Sequence, residues 1–192
     1  MSHAPRIMER FDVVRPAVSY AHSFLAAVEE LPESYHQQLL YAPWSVEEAR
    51  ADFPRYVATL LHGGHVAARD RVREGMPFPS SVVPETVLWG VSGEEFLGRI
   101  AFRHTLNDFL RTFGGHVGFA VRPSARGQGV ASEMLRRVLA SSRARALGRV
   151  LLTCDEDNTA SRRIIEKHGG IAAGSCQRPG EPPTLQFWIT TS

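Results

Sequence analysis

The stretch of this chain best suited to chemistry is Gly118-Phe-Ala-Val-Arg-Pro-Ser-Ala-Arg-Gly-Gln-Gly-Val-Ala131. It reads as a strand, a tight turn and the start of a helix. Gly127 and Gly129 remove side chains where the chain must turn sharply, and they let main-chain N–H groups approach a ligand closely. A helix start adds unpaired donors and the positive end of the helix dipole. Together these features can hold a phosphate or diphosphate. A P-loop would need Gly-Lys-Ser/Thr after the second glycine, and Val130-Ala131 stand there instead. A dinucleotide fingerprint would need Gly or Ala where the chain has Ser132, and repeated βαβ units where the upstream half reads as hairpins. A glycine-rich turn that binds nothing is the plain structural alternative.

Other residues offer chemistry with less support. His116 titrates near working pH and follows Gly114-Gly115, so it reads as a proton acceptor or as a structural histidine after a turn. Asn158 follows three acids, Asp155, Glu156 and Asp157, and suits a helix N-cap as well as a ligand contact. His62-Gly-Gly-His65 has two metal-type ligands and no evident Cys or acidic partners, so a turn is the better reading and no metal is expected. Cys154 reads as a small buried residue in a strand. Seven arginines and one acid, Glu133, lie between Arg122 and Arg149. No aromatic residues interleave with them, so nucleic acid is not expected as a partner.

The elements that must position these residues follow from periodicity. Residues 9–15 alternate weakly, as an edge strand would, and stop at Pro16. Ala17 to Leu31 carries a helical apolar face at Phe24, Leu25, Val28 and Leu31. Ser45 with Glu48 forms a capping box, opening a helix to about Leu61 that bends near Pro54. Residues 69–83 read as a surface loop. Glu85–Val91 and Phe96–Arg103 form a hairpin, and Gly115–Arg122 a further strand. A helix is expected from about Gly127 to Leu147, a strand over Val150–Cys154, and a helix over Asn158–His168. A final strand pair follows, Ile171–Cys176 and Leu185–Thr190. The expected fold class is α/β, one mixed and largely antiparallel sheet of about seven strands flanked by helices, with one βαβ crossover.

Composition agrees with a soluble globular chain. The 192 residues are 43% hydrophobic and 22% charged, with net charge +2. One domain over 1–192 is expected, with a mostly helical part to residue 83 and the ligand-binding core over 84–192. Two cysteines cannot build a disulfide framework. No apolar run reaches the length of a membrane span, and the first residues lack a signal-peptide core. A cytoplasmic protein that meets no membrane is the expectation.

The segment Arg126-Gly-Gln-Gly129-Val-Ala131 resembles the [Q/R]-x-x-G-x-[G/A] signature of the GNAT acyltransferase family. Gly115-His-Val-Gly-Phe-Ala-Val-Arg-Pro123 resembles that family's fourth strand. About 30 residues on, the stretch from Asn158 through Ser161 and Lys167 to Gly170 resembles its following strand exit and helix end. Within the family the chain looks most like a bacterial-type subgroup combining Arg-His-x-Leu-Asn, Gly-Gly-His and Asn-x-x-Ser. The resemblance implies an N-acetyltransferase that moves an acetyl group directly from acetyl-CoA, as donor cosubstrate, to a small-molecule or peptide amine, with a homodimer permitted. It implies that Arg126, Gly127, Gln128, Gly129, Val130 and Ala131 cradle the diphosphate, with Ser132 adding a hydroxyl. Phe119, Ala120 and Val121 would pair with the pantetheine arm, which Asn158 would also contact. His116 falls where many relatives carry a glutamate base. His104, Asn107 and Asp108 would line the acceptor pocket. Two departures stand out: Ile165 replaces a tyrosine that serves as acid in many relatives, and Gly170 replaces a phenylalanine. Ile165 keeps a second implication alive, a non-catalytic acyl-CoA-binding or sensor module.

Overall fold

Strand β1 (Phe11–Val14) forms the outer edge of a sheet whose hairpin is β2 (Glu85–Ser92) and β3 (Glu95–Arg103), turning at Gly93 with φ +57. The other strands are β4 (Val117–Val121), β5 (Arg149–Asp155), β6 (Ile171–Cys176) and β7 (Thr184–Thr190). In space their order is β1-β2-β3-β4-β5-β7-β6. Every adjacent pair is antiparallel except β4 and β5, which are parallel. The fold is therefore α/β with a single seven-stranded mixed sheet, as the sequence predicts. These elements come from a computed structural model that describes residues 7–41, 44–62 and 83–191. The loop expected over 69–83 and the His62–His65 turn lie largely outside the described residues. Among the described residues no helix is long and apolar enough to cross a membrane.

Helices cover both faces of the sheet. Helix α1 (Ala21–Glu29), α2 (Val46–Ala51) and α3 (Phe53–Leu61) pack on one face. Their core joins Phe24, Val28, Phe53, Tyr56 and Leu60 to Val87, Trp89 and Phe96 of the hairpin. Phe24 is central to it, stacked on Trp89 at 5.1 Å and edge-on to Phe96 at 4.9 Å. Helix α4 (Val130–Leu139), α5 (Ser142–Leu147) and α6 (Thr159–Lys167) cover the other face. There Val130, Met134, Leu135, Val138 and Ile165 meet Ile100, Phe102, Val150 and Leu152.

Two helices expected to be continuous are split, each time by a second cap. Ser45 and Glu48 form the capping box that opens α2. The chain then leaves helical geometry at Asp52 (φ −142, ψ 69), whose side chain accepts from Arg55 N–H at 3.0 Å and starts α3. Pro54 explains the break, because it has no N–H to bond back to Arg50 O and its ring would clash with that carbonyl, whereas in the first turn of α3 no such bond is needed. Likewise Ser141 accepts from Ala144 N–H at 3.2 Å and divides the expected 127–147 helix into α4 and α5. Gly148, at φ +70, ends α5.

Phe24 has 0% exposure and touches four aromatic rings, so its removal leaves a cavity that the surrounding rings cannot fill by collapse. Phe24→Ala is expected to lower unfolding free energy by about 3–5 kcal/mol, measured as a shift in the chemical-denaturation midpoint.

Candidate active site

Parallel neighbours β4 and β5 are in register only where Val117 stands opposite Leu152. On its other edge β4 stays paired with β3 along its whole length. The contact with β5 is made by Gly115 and His116 just ahead of β4. The His116 N–H donates to Leu151 O at 2.7 Å, and Leu151 N–H donates to His116 Nδ1 at 2.9 Å. Gly115 passes so close to β5 that a Cβ would sit 2.6 Å from Leu151 O, and its φ is +61. Only glycine fits there without strain.

His116 is 7% exposed, with its ring near Phe102 and Trp188. Burial, with the charges of Arg111 and Arg103 in support, pushes its pKa down to about 4. Because Nδ1 accepts a main-chain N–H, the neutral ring carries its proton on Nε2. A base needs a free lone pair, and this one is occupied. The geometry is therefore at odds with the base role expected from sequence and gives His116 the job of clasping two strands.

Past the clasp the strands part, and the edge of β4 is turned toward the gap. Arg103 N–H donates to His116 O and Arg122 N–H to Leu97 O, which fixes which residues of β4 bond β3. Gly118 and Ala120 fall on that bonded side, so the amide groups of Phe119 and Val121 face the opening.

The strand then runs into the glycine turn, whose position is set from the opposite face. Glu30, just past α1, binds Arg122 Nε at 2.8 Å, Ser124 N–H at 2.9 Å and Ser124 Oγ at 2.9 Å. Burial opposes ionisation of Glu30, but these bonds outweigh it and hold its pKa below the usual carboxylate value. Gly127 and Gly129 have φ +74 and +87, and a Cβ on either would meet nothing within 4 Å. The glycines are thus required by backbone geometry, and the space above them is open. No side chain caps α4, whose N-cap is Gly129.

A cleft of about 840 Å³ joins these parts. Its walls include Phe119, Ala120, Val121, Arg126, Gly127, Gly129, Val130, Ala131, Ser132 and Asn158. Gln128 is not among them; its Nε2 turns back to Ser124 O at 3.1 Å. Ser132 reaches the cleft, but its hydroxyl also bonds His168 Nε2 at 2.9 Å. Asn158 caps α6, its Oδ1 accepting from Ser161 N–H at 3.1 Å, and it also lines the cleft. A second cavity of about 310 Å³ continues through the strand gap and shares Arg103, Gly118, Phe119, Asn158 and Ser161 with the first.

His104, Asn107 and Asp108, expected around an acceptor, line neither cavity. His104 Nε2 bonds Thr86 Oγ1 at 2.9 Å, and Asn107 Oδ1 accepts from Leu110 N–H at 3.0 Å, opening the turn at 109–114. Thr112 Oγ1 donates to the main-chain oxygen of the exposed Asp108. Sequence reasoning gave no cleft role to the wall residues Arg99, Arg103, Ser161, Arg163 and Lys167. The signal for the last three was their helical spacing after Asn158; for Arg99 it was an arginine at an inward position of an otherwise apolar strand. Cys154 lines the smaller cavity, and burial, aided by Asp155, raises its pKa, so it stays a thiol. Ile165 is 1% exposed in the core, where its Cγ2 would lie 2.4 Å from a Cβ at Gly170. The two departures from the family pattern are therefore one packing solution. Among the described residues no group of three or more His, Cys, Asp or Glu could hold a metal ion.

Residues 14–171 match the family model for the acetyltransferase (GNAT) domain. The chain belongs to the GNAT family, and its class is that of the acetyl-CoA-dependent N-acetyltransferases. No curated protein matches it. Solved structures of similar fold include the microcin C7 self-immunity acetyltransferase MccE in complex with acetyl-CoA and AMP, at 10% identity and TM-score 0.63 with 97% of each chain covered. The ribosomal L7/L12 alpha-N-protein acetyltransferase RimL in complex with coenzyme A has 16% identity and TM-score 0.60, with 94% of each covered. Mycobacterium smegmatis RimJ in complex with CoA-disulfide has 17% identity and TM-score 0.61, covering 94% of this chain and 81% of that one.

His116 binds a proton less readily when folded than when unfolded, because its pKa falls from 6.5 to about 4. Between those values the unfolded chain holds more protons, so stability falls as pH is lowered through that window. The loss is expected to be about 3 kcal/mol, read from denaturation at several pH values. His116→Asn, whose amide oxygen can accept from Leu151 N–H, should flatten that dependence.

Proposed function

We propose that this cleft binds acetyl-CoA and that the protein acetylates an amine acceptor presented at the gap between β4 and β5. The observation that carries this reading is the continuity of one cleft from the uncapped start of α4, across Gly127 and Gly129, to the outward-facing edge of β4. The residues present fit the group chemically. Main-chain donors from Gly127 to Ala131 suit a diphosphate. Arg126 on the turn, with Arg163 and Lys167 on α6, adds positive charge to the same wall. The amide edge of Phe119 and Val121 suits an extended amide chain, which would add to the sheet as a further strand. Bound acetyl-CoA supplies an activated acetyl thioester.

The protein's own part is positioning and electrostatics. A main-chain N–H of β4 is placed to donate to a carbonyl oxygen as charge develops there, an oxyanion-type contribution. Ser161, common to both cavities, places a hydroxyl at the gap, where it can donate a hydrogen bond to a departing thiolate, in place of the tyrosine that Ile165 replaces, while the thiolate takes its proton from solvent. A thiol of pKa about 8.5 leaves readily with little help. His116 keeps the strands joined at one end, and the acceptor's proton passes to another group. Among the described residues Asp155 is the one carboxylate lining either cavity, so we assign it, directly or through water, as the route for that proton.

Coenzyme A titrated calorimetrically into the wild-type protein should bind with displacement of nothing else. Gly129→Glu should weaken that affinity by at least about 100-fold, because a carboxylate enters the anion cradle. Gly129→Ala controls for backbone strain at φ +87 and should lose less. Equal coenzyme A affinity in the wild-type and Gly129→Glu proteins would remove the cradle from the mechanism.

A further inference from the structure

The larger cleft has two walls of different origin, and both are basic. Arg126, Arg163 and Lys167 stand on the side of the glycine turn and α6. Arg99 and Arg103 stand on β3, beyond the edge of β4, and no acid lines this cleft among the described residues. The two β3 arginines share one face of the strand with Ala101 between them, so their Cα atoms are about 13 Å apart. Opposite them on β4 are Ala120, Gly118 and His116. Small residues therefore floor the space, and a guanidinium rises at each end.

Both arginines are held by main-chain carbonyls, which fix a guanidinium without cancelling its charge. Arg99 donates from Nε to Gln38 O at 2.8 Å and from Nη2 to Gln37 O at 3.3 Å, with its guanidinium carbon 5.9 Å from the Tyr41 ring centroid. Arg103 donates from Nη1 to Gly114 O at 2.9 Å and Gly115 O at 3.1 Å. Its buried Nε makes no hydrogen bond. Glu85 is 3.8 Å from that Nε, an ion-pair distance, and also accepts the Tyr41 hydroxyl. Arg99, Arg103 and Glu85 thus sum to one positive charge, fixed before any ligand arrives. Arg103 Nη2 lies over Gly118, 3.6 Å from where a Cβ would be.

We infer that the acceptor is a small amine that itself carries an anionic group, a carboxylate or a phosphate monoester, which docks between Arg99 and Arg103. This rests on the acetyl-CoA reading above, which assigns the other basic wall to the donor. Guanidinium groups pair with carboxylate and phosphate oxygens through directed N–H bonds. A second ammonium on the acceptor would meet like charge, so polycationic amines are excluded. The same positive field lowers the pKa of an acceptor ammonium and raises the fraction of neutral, nucleophilic amine. That helps offset the engagement of His116 Nδ1 by Leu151 N–H, which leaves that ring no free lone pair.

The test uses the full-length protein saturated with coenzyme A, so that the diphosphate cradle is occupied. Inorganic phosphate and succinate are titrated separately by calorimetry, and the tighter of the two identifies the anionic group. Binding of one or both at about 1–10 mM is expected. Arg99→Gln and Arg103→Gln should each weaken it about tenfold or more, while Arg99→Lys, which keeps the charge, should retain much of it. Among the described residues Arg99 hydrogen-bonds only to carbonyls, so its variants keep the test open if Arg103→Gln folds poorly. Thiol release is then compared for O-phosphoethanolamine and β-alanine against ethanolamine and 1,2-diaminoethane, with the anionic pair expected to react faster. Coenzyme A binding with no binding of either anion at about 50 mM overturns this inference alone, as does anion binding unchanged in Arg99→Gln, or faster reaction of the diamine. Failure of coenzyme A to bind overturns the donor reading and this inference with it.

Discussion

A single clasp between two parallel strands governs the architecture of this protein. Were β4 and β5 zipped along their length, the edge amides of Phe119 and Val121 would be consumed by β5, as in any buried parallel sheet. Instead the pairing is confined to Val117 and Leu152, with His116 bonding Leu151 in both directions just before it. Gly115 permits the close approach, and the surrounding ties stiffen it. Thr153 Oγ1 donates to Phe113 O, and Gln186 Nε2 to the carbonyls of Arg111 and Thr112. The sheet is thereby secured at one end and open at the other, and the opening is where main-chain donors are available to a ligand.

Substitutions that look like losses against the family pattern are compensated locally. Ile165 cannot donate a proton, but it fills core volume beside Gly170, which has no room for a Cβ. Ser161, one turn earlier on the same helix, brings a hydroxyl to the cleft. Glu30 carries out another kind of compensation: it spans from the end of α1 to Arg122 and Ser124, so the start of the glycine turn is set by the helices of the opposite face. Donor-site geometry therefore depends on a part of the chain that lines little of the donor site.

Most of the sheet was legible in the sequence, because its strands are short apolar runs bounded by glycine, proline or charge. The glycine turn was legible for a different reason, since Gly127 and Gly129 have few uses other than positive φ. The break at Asp52 was read only as a bend near Pro54 and that at Ser141 was missed, because helical periodicity continues across them, and a polar residue inside an amphipathic run looks like a solvent position until its side chain is seen to cap. The role of His116 depends on a bond to Leu151, 35 residues away, which no local pattern encodes. His104, Asn107 and Asp108 were read as pocket residues from their position in a loop. The His104 ring bonds Thr86 of β2 instead, and Asn107 and Asp108 serve the loop's own turn. Arg99 and Arg103 escaped notice because strand alternation identifies a half-exposed position without saying whether it faces water or a cleft.

The anchoring of Arg99 has an evolutionary corollary. Its guanidinium is aimed by the carbonyls of Gln37 and Gln38, at the end of a short 3-10 helix spanning Glu33–Gln38. Carbonyls belong to the backbone, so side chains in that turn are free to drift while the aim is preserved. A change in the turn's length or path would swing the arginine away and leave the coenzyme half untouched. Preference among acceptors and competence toward the coenzyme can then diversify on separate schedules, as two modules of one chain.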